Sequence, residues 1–181
     1  IGNELNLNYT NPKVWDAVND IAKMIKEVDP NHLTTTMLAG IKKFDVKEIE
    51  KRCPDLDFIS IQMYGDLPNL QQRIKESGYK GPYLVTEWGA TGHWEVARTS
   101  WDVPIEQTSK EKAESYIYRY NAAIESDSLH CLGSYVFYWG QKRKEHQPGT
   151  DYLPRMVILL KQLMQCIIFG KVNGLKIELH N

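Results

Sequence analysis

The sequence predicts an α/β protein built on a parallel sheet, and three observations lead there. Short β-branched or apolar runs alternate one for one with segments of helical periodicity along most of the chain. Strict alternation of that kind implies parallel strands covered by helices. The helical segments carry their own start and stop signals, so their limits are readable. Glutamates also stand directly behind two of the short runs, in Gly2-Asn3-Glu4 and in Val85-Thr86-Glu87-Trp88-Gly89, where a strand gives way to a loop.

Each element follows from its residues. Ile1 closes a first strand that opens into Gly2-Asn3-Glu4. Asn11-Pro12 starts a helix, with Asn as N-cap and Pro at the first helical position. Val14, Trp15, Val18, Ile21, Ala22 and Ile25 follow at helical spacing, and Pro30 stops the run. Leu33 to Leu38, Thr-rich and β-branched, is a strand. A turn at Phe44-Asp45 precedes a short helix over Val46 to Arg52. Phe58-Ile59-Ser60-Ile61 is the next strand, running out into Gln62-Met63-Tyr64-Gly65, and Leu67 to Glu76 is helical. Gly81-Pro82 opens a strand from Tyr83 to Thr86 that ends at Glu87. After a long loop, Gly89 to Gln107, Thr108 and Glu111 form a capping box for a helix over Ser109 to Glu125. Leu132 to Tyr138 is the last strand, ending at Trp139-Gly140. The helix-borne Trp15, Tyr116 and Tyr120 read as packing residues. There is no internal repeat beyond the βα unit, no low-complexity linker and no second-domain boundary.

Composition narrows the classes. At 42% hydrophobic and 25% charged, the chain is ordinary for a globular domain. The 22 basic and 23 acidic residues leave a net charge of −1 without a basic block. Nucleic-acid backbone binding needs a clustered positive face, so that partner is not expected. No apolar run reaches the roughly 18 residues of a membrane span. Cys53, Cys131 and Cys166 show neither metal spacing nor a disulfide framework and read as buried thiols. The histidines lack an i, i+4 pair, so neither a metal nor another cofactor is expected. The chain opens without Met or a signal-like segment, so an original amino terminus, and its address with it, is expected to be lost.

The strand-end glutamates carry the chemistry. In parallel α/β barrels catalytic groups sit at the carboxyl ends of strands. Two carboxylates on different strands are the minimum equipment for cleaving a glycosidic bond, one as acid/base and the other as nucleophile. The run Ile1-Gly2-Asn3-Glu4, a Tyr just after a later strand (Tyr64), Thr86-Glu87-Trp88-Gly89, and a Trp ending the last strand (Trp139) together resemble the catalytic half of a clan A glycoside hydrolase barrel. The likeness is greatest to the carboxy-terminal barrel of glycoside hydrolase family 2, which includes β-galactosidases, β-glucuronidases and β-mannosidases. It covers Ile1 to about Gly140, as strands four to eight of a (β/α)8 barrel. At 181 residues the chain is short of the roughly 250 that a whole barrel takes, so a partial barrel is expected.

The resemblance implies a role for each residue. Glu4 would be the general acid/base, with a pKa raised by burial or by a neighbouring carboxylate. Asn3 would hydrogen-bond the sugar 2-hydroxyl. Glu87 would be the nucleophile of a retaining mechanism, about 5–5.5 Å from Glu4. Tyr64 would hold Glu87 in position, and Trp139 would floor the sugar site, a core tryptophan being the competing reading. Trp88, His93, Trp94 and Trp101 are dense for a loop and are expected to line a carbohydrate groove. Family 2 often has Asn two residues before this Tyr and Trp shortly after it; here the segment is Gln62-Met63-Tyr64-Gly65-Asp66, which leaves the branch of the family open. The expectation is therefore a retaining β-glycosidase acting on a carbohydrate substrate, the activity belonging to the full-length parent and the 181-residue piece being inactive by itself, because three strands that close the barrel are absent. A non-catalytic carbohydrate-binding barrel remnant and a clan A endo-glycanase or transglycosylase on β-glucan or mannan are the alternatives.

The tail breaks the pattern. After about Gln141 the apolar residues cluster in Met156 to Leu160 and Leu163 to Phe169 without caps or amphipathic order. Reading each codon from the third base of the visible one turns Met156-Val157 into Gly and Met164-Gln165 into Ala whatever the codons. Permissive choices elsewhere then yield a Gly turn and an amphipathic helix. The expected organisation is a partial barrel domain over 1–147 and a frameshifted tail over 148–181.

Overall fold

The computed structural model describes residues 1–137. Trp139 and the tail over 148–181 lie outside the described residues. Within them the chain is α/β. Four parallel strands, in the order β1 (Thr35–Ala39), β2 (Phe58–Gln62), β3 (Tyr83–Trp88) and β4 (Cys131–Val136), are interleaved with helices. The helices are α1 (Lys13–Val28), α2 (Lys43–Arg52), α3 (Leu70–Ser77) and α4 (Ser109–Arg119).

The amino-terminal residues lie along the free edge of β1 without forming a full strand. Asn3 bridges Met37 in parallel, and the Glu4 N–H donates to the Met37 carbonyl at 3.0 Å. The Thr36 hydroxyl donates to the Ile1 carbonyl at 2.7 Å.

Local chemistry sets most boundaries. The Asn11 side chain accepts the Lys13 N–H at 3.0 Å, and Pro12 takes the cap position of α1. Strand β1 starts at Thr35, two residues later than Leu33. The Asp57 carboxylate takes the Thr34 N–H at 2.7 Å, and Leu33 is left outside, 70% exposed. The Phe44-Asp45 pair is the first turn of α2 rather than a separate turn, because an acid near a helix amino terminus is stabilised by the helix dipole. Helix α3 is entered through a single 3₁₀ turn at Leu67–Asn69 and closed by Gly78, whose φ of 85° is open to glycine at no steric penalty.

Strand β3 continues past Thr86 through Glu87 to Trp88. Thr108 and Glu111 form the reciprocal capping box of α4. That helix widens after Arg119 into a π turn over Tyr120–Ile124, which sends Tyr120, Ala123 and Ile124 into the core.

The two sheet faces differ. Strand register places Leu38, Ile59, Ile61, Tyr83 and Val85 on one face, packed with Trp15 and Val18 of α1, Val46 and Ile49 of α2, and Leu70 of α3. The other face is mixed, with Met37 and Leu84 in register with Ser60. The Thr35 and Ser60 hydroxyls are 2.9 Å apart there, and Gln62 stands at its upper end. Strand β2 is buried on both faces, as suits a central parallel strand. Cys53 and Cys131 are both buried thiols, and burial pushes the Cys53 thiol up to about 11.

Candidate active site

The carboxyl ends of the strands bring Asn3, Glu4, Gln62, Tyr64 and Glu87 together. Glu4 lies at the turn behind the edge segment, in the left-handed region at φ 51°, and its carbonyl accepts the Leu7 N–H at 3.0 Å. A non-glycine residue there is uncommon and carries some backbone strain. What holds it is Asn6, whose amide acts as a substitute peptide. It accepts from the Ala39 N–H at 2.9 Å and donates to the Ala39 carbonyl at 3.0 Å. The chain after Glu4 is thereby stitched to the last residue of β1.

Glu87 is set by β3. Its residue pairs with Gln62 of β2 across a register shift, and its carbonyl accepts the Met63 N–H at 2.9 Å. The shift between Ile61 and Gln62 changes the alternation of side chains at the top of the strand. The Tyr64 hydroxyl donates to Glu87 Oε1 at 2.5 Å. Burial, that hydrogen bond and the charges of Glu87 and Glu4 all push the Tyr64 phenol above its ordinary range, so it stays a donor.

Glu4 is raised above the usual glutamate value, first by partial burial and then by the negative charge of Glu87. The two carboxyl groups therefore sit within each other's field, and burial and repulsion both favour the neutral form of Glu4. Glu4 and the Tyr64-bound Glu87 are thus neighbours at the carboxyl ends of the strands.

Three contributors escaped sequence reasoning. Gln62 Nε2 donates to Asn3 Oδ1 at 2.8 Å, tying the edge segment to β2. A polar residue ending an otherwise buried strand was the available signal. Glu95 accepts the Gly65 N–H at 3.0 and 3.1 Å and the Gly92 N–H at 3.1 Å, clipping the long loop onto the turn behind Tyr64. Arg119, 6% exposed, donates to the Gly89 carbonyl and to Thr91 Oγ1, the latter at 2.7 Å. It pins the chain just beyond Glu87. Nothing local in the sequence marks these last two.

The aromatics divide. Trp94 stays 60% exposed and meets Tyr64 edge to face, with ring centroids 5.2 Å apart; His93 packs on Trp94 in turn. Trp101 is exposed. Trp88 is the correction. Its ring is wholly buried against Tyr116 and Tyr120, so it supports β3 from within the core and is not placed to touch a substrate. The cause is the register irregularity between Val85 and Trp88, where one extra residue in β3 breaks the strand's alternation and turns Trp88, instead of Glu87, toward the helices. Trp15 and Tyr120 are core residues, and Tyr116 packs against the core cluster through the Trp88 ring.

No protein-family model matches the chain, and no curated protein matches it in sequence.

Proposed function

We propose that this chain carries the catalytic half of a retaining β-glycosidase. In this reading β1 to β4 are strands five to eight of a (β/α)8 barrel, and the segment ending at Glu4 is the close of strand four. It resembles clan A, and family 2 most. The observation that carries the reading is the pairing of two strand-end carboxyl groups in unlike environments. Glu4 is held toward its neutral form beside Glu87, while Glu87 accepts the Tyr64 hydroxyl. Carboxyl groups whose surroundings suit one to give a proton and the other to attack are what double displacement at a sugar requires.

The steps follow from those atoms. Glu87 attacks the anomeric carbon while Glu4 gives its proton to the departing glycosidic oxygen, and the C–O bond breaks. Glu4, now a carboxylate, takes a proton from water, which displaces Glu87 from the anomeric carbon and restores both groups. Asn3 has its amide oxygen engaged by Gln62, which turns its nitrogen into the donor for the sugar 2-hydroxyl. Tyr64 keeps the attacking oxygen aligned.

Trp94 and Trp101, exposed on the loop beyond β3, favour one second reading, an open cleft serving an endo-glycanase or transglycosylase.

A 2-deoxy-2-fluoro β-glycoside with a good leaving group, applied to the whole barrel of which this chain would be half, tests the reading. Glu87 should become the labelled residue in the peptide mass spectrum. Azide should rescue a Glu87→Ala version with inverted product. Labelling at Glu4 instead would exchange the two roles, and no labelling of an actively hydrolysing protein would overturn the double displacement.

A further inference from the structure

We infer that the open pocket between the loop behind Glu4 and the start of α2 is a saccharide subsite for the sugar on the leaving-group side of the bond. The pocket has about 370 Å³, with Asn6, Tyr9, Lys42, Phe44 and Asp45 in its walls. That volume lies within the roughly 300–1,000 Å³ of small-molecule sites. Its equipment suits a sugar: a ring face at Phe44, which is 59% exposed, a phenol at Tyr9, an ammonium at Lys42 and a carboxylate at Asp45. Aromatic faces cover the apolar side of a pyranose, while a few placed polar groups fix its hydroxyls.

Asp45 is the informative member. It is only 4% exposed, yet its oxygens accept just two hydrogen bonds, from Asn6 at 3.2 Å and from Tyr9 at 3.3 Å. Both are long, and among the described residues no lysine or arginine forms an ion pair with it. An ionised carboxylate offers about four acceptor positions. The amino-terminal end of α2 explains an acid at this position. It does not explain why the acid shares a pocket wall with Tyr9, Lys42 and an exposed phenylalanine. Sugar hydroxyls would fill the spare acceptor positions.

Asn6 ties the pocket to the chemistry. It lies two residues beyond Glu4, bonds both polar atoms of the Ala39 backbone, and donates to Asp45. Glu87, by contrast, is two strands away from β1 in the sheet. A pocket on the Glu4 side serves the half of the substrate that receives the proton. The assignment to the leaving group rests on the glycosidase reading; the pocket and its sugar chemistry do not.

The test is a ¹H–¹⁵N NMR titration of the 181-residue chain carrying Glu87→Gln with cellobiose, laminaribiose and mannobiose. At least one disaccharide should shift the amides of residues 6–10 and 42–45. Phe44→Ala should weaken that binding about tenfold, and Lys42→Ala should weaken it too. Both side chains are exposed, so an unchanged remainder of the spectrum verifies the fold. Shifts confined to Glu4, Tyr64 and the residues flanking the substituted position would overturn the subsite and leave the glycosidase reading standing. Shifts at the pocket in a protein that fluoroglycosides never label would leave the sugar pocket and remove its leaving-group role. No shift with any of the three would overturn the pocket.

Discussion

Gly89 sits two residues beyond the proposed nucleophile, and the structure leaves it no room for a side chain. A β-carbon there would stand 2.3 Å from the Phe137 carbonyl oxygen and 3.2 Å from the Tyr116 hydroxyl. The first contact is more than 1 Å inside ordinary van der Waals distance, and the atom in the way is backbone. Phe137 cannot simply retreat, because its N–H donates to the Trp88 carbonyl at 2.7 Å. Gly89→Ala must therefore part β3 from the chain beyond β4 or rotate the Glu87 end of the strand. Overpacking of this kind costs about 1–3 kcal/mol. For a chain of this size that is a fall of roughly 2–12 °C in melting temperature, at about 2–4 °C per kcal/mol. Differential scanning calorimetry of the two proteins measures it, and fluoroglycoside labelling of Glu87 should slow alongside when the same change is made in the whole barrel. A variant within about 1 °C of the parent, with labelling unchanged, would mean that the approach of the two strands is not what holds Glu87.

Three further outcomes are expected. Tyr64→Phe removes a hydrogen bond to a charged group worth about 1.5–3 kcal/mol, so glycosidase kcat/KM of the whole barrel should drop roughly 10- to 150-fold; a change under threefold would remove Tyr64 from any aligning role. Glu4 is raised in the folded chain, so its neutral form contributes stability that is present below the ordinary glutamate value and fades as pH climbs through the raised one. Glu87→Gln deletes the second of its two causes. Glu4 should then titrate lower by carbon-detected NMR, yet stay above the ordinary value because burial remains, and a titration left unmoved would place the two carboxyl groups apart. Asn6→Ala leaves Ala39 without partners for its N–H and C=O and removes a donor from Asp45, a loss of about 1–3 kcal/mol in denaturant unfolding. It should also release Glu4 from its left-handed conformation; a variant as stable as the parent would show the edge segment to be held by other means.

What the sequence determined by itself is the part governed by near neighbours. Helix α1 was legible because Asn11-Pro12 and the apolar spacing from Val14 to Ile25 act within one or two turns. The capping box at Thr108 and Glu111 is likewise complete within four residues. The βα order followed from such local terms, and with it the common carboxyl end shared by Glu4, Tyr64 and Glu87, since parallel strands joined by helices all point the same way.

Only the tertiary structure decided which neighbours those ends acquire. Trp88 read as a groove residue because nothing within a few positions tells a strand end which face is covered; α4 and its π turn, some thirty residues on, cover it with Tyr116 and Tyr120. Leu33 left the strand because Asp57, over twenty residues away, captured the Thr34 N–H. Gln62 found Asn3 across fifty-nine positions, and Arg119 found Gly89 and Thr91 across about thirty. Partners that distant are chosen by strand register and by the packing of whole elements, because a hydrogen bond rewards only atoms that the rest of the fold has already brought together.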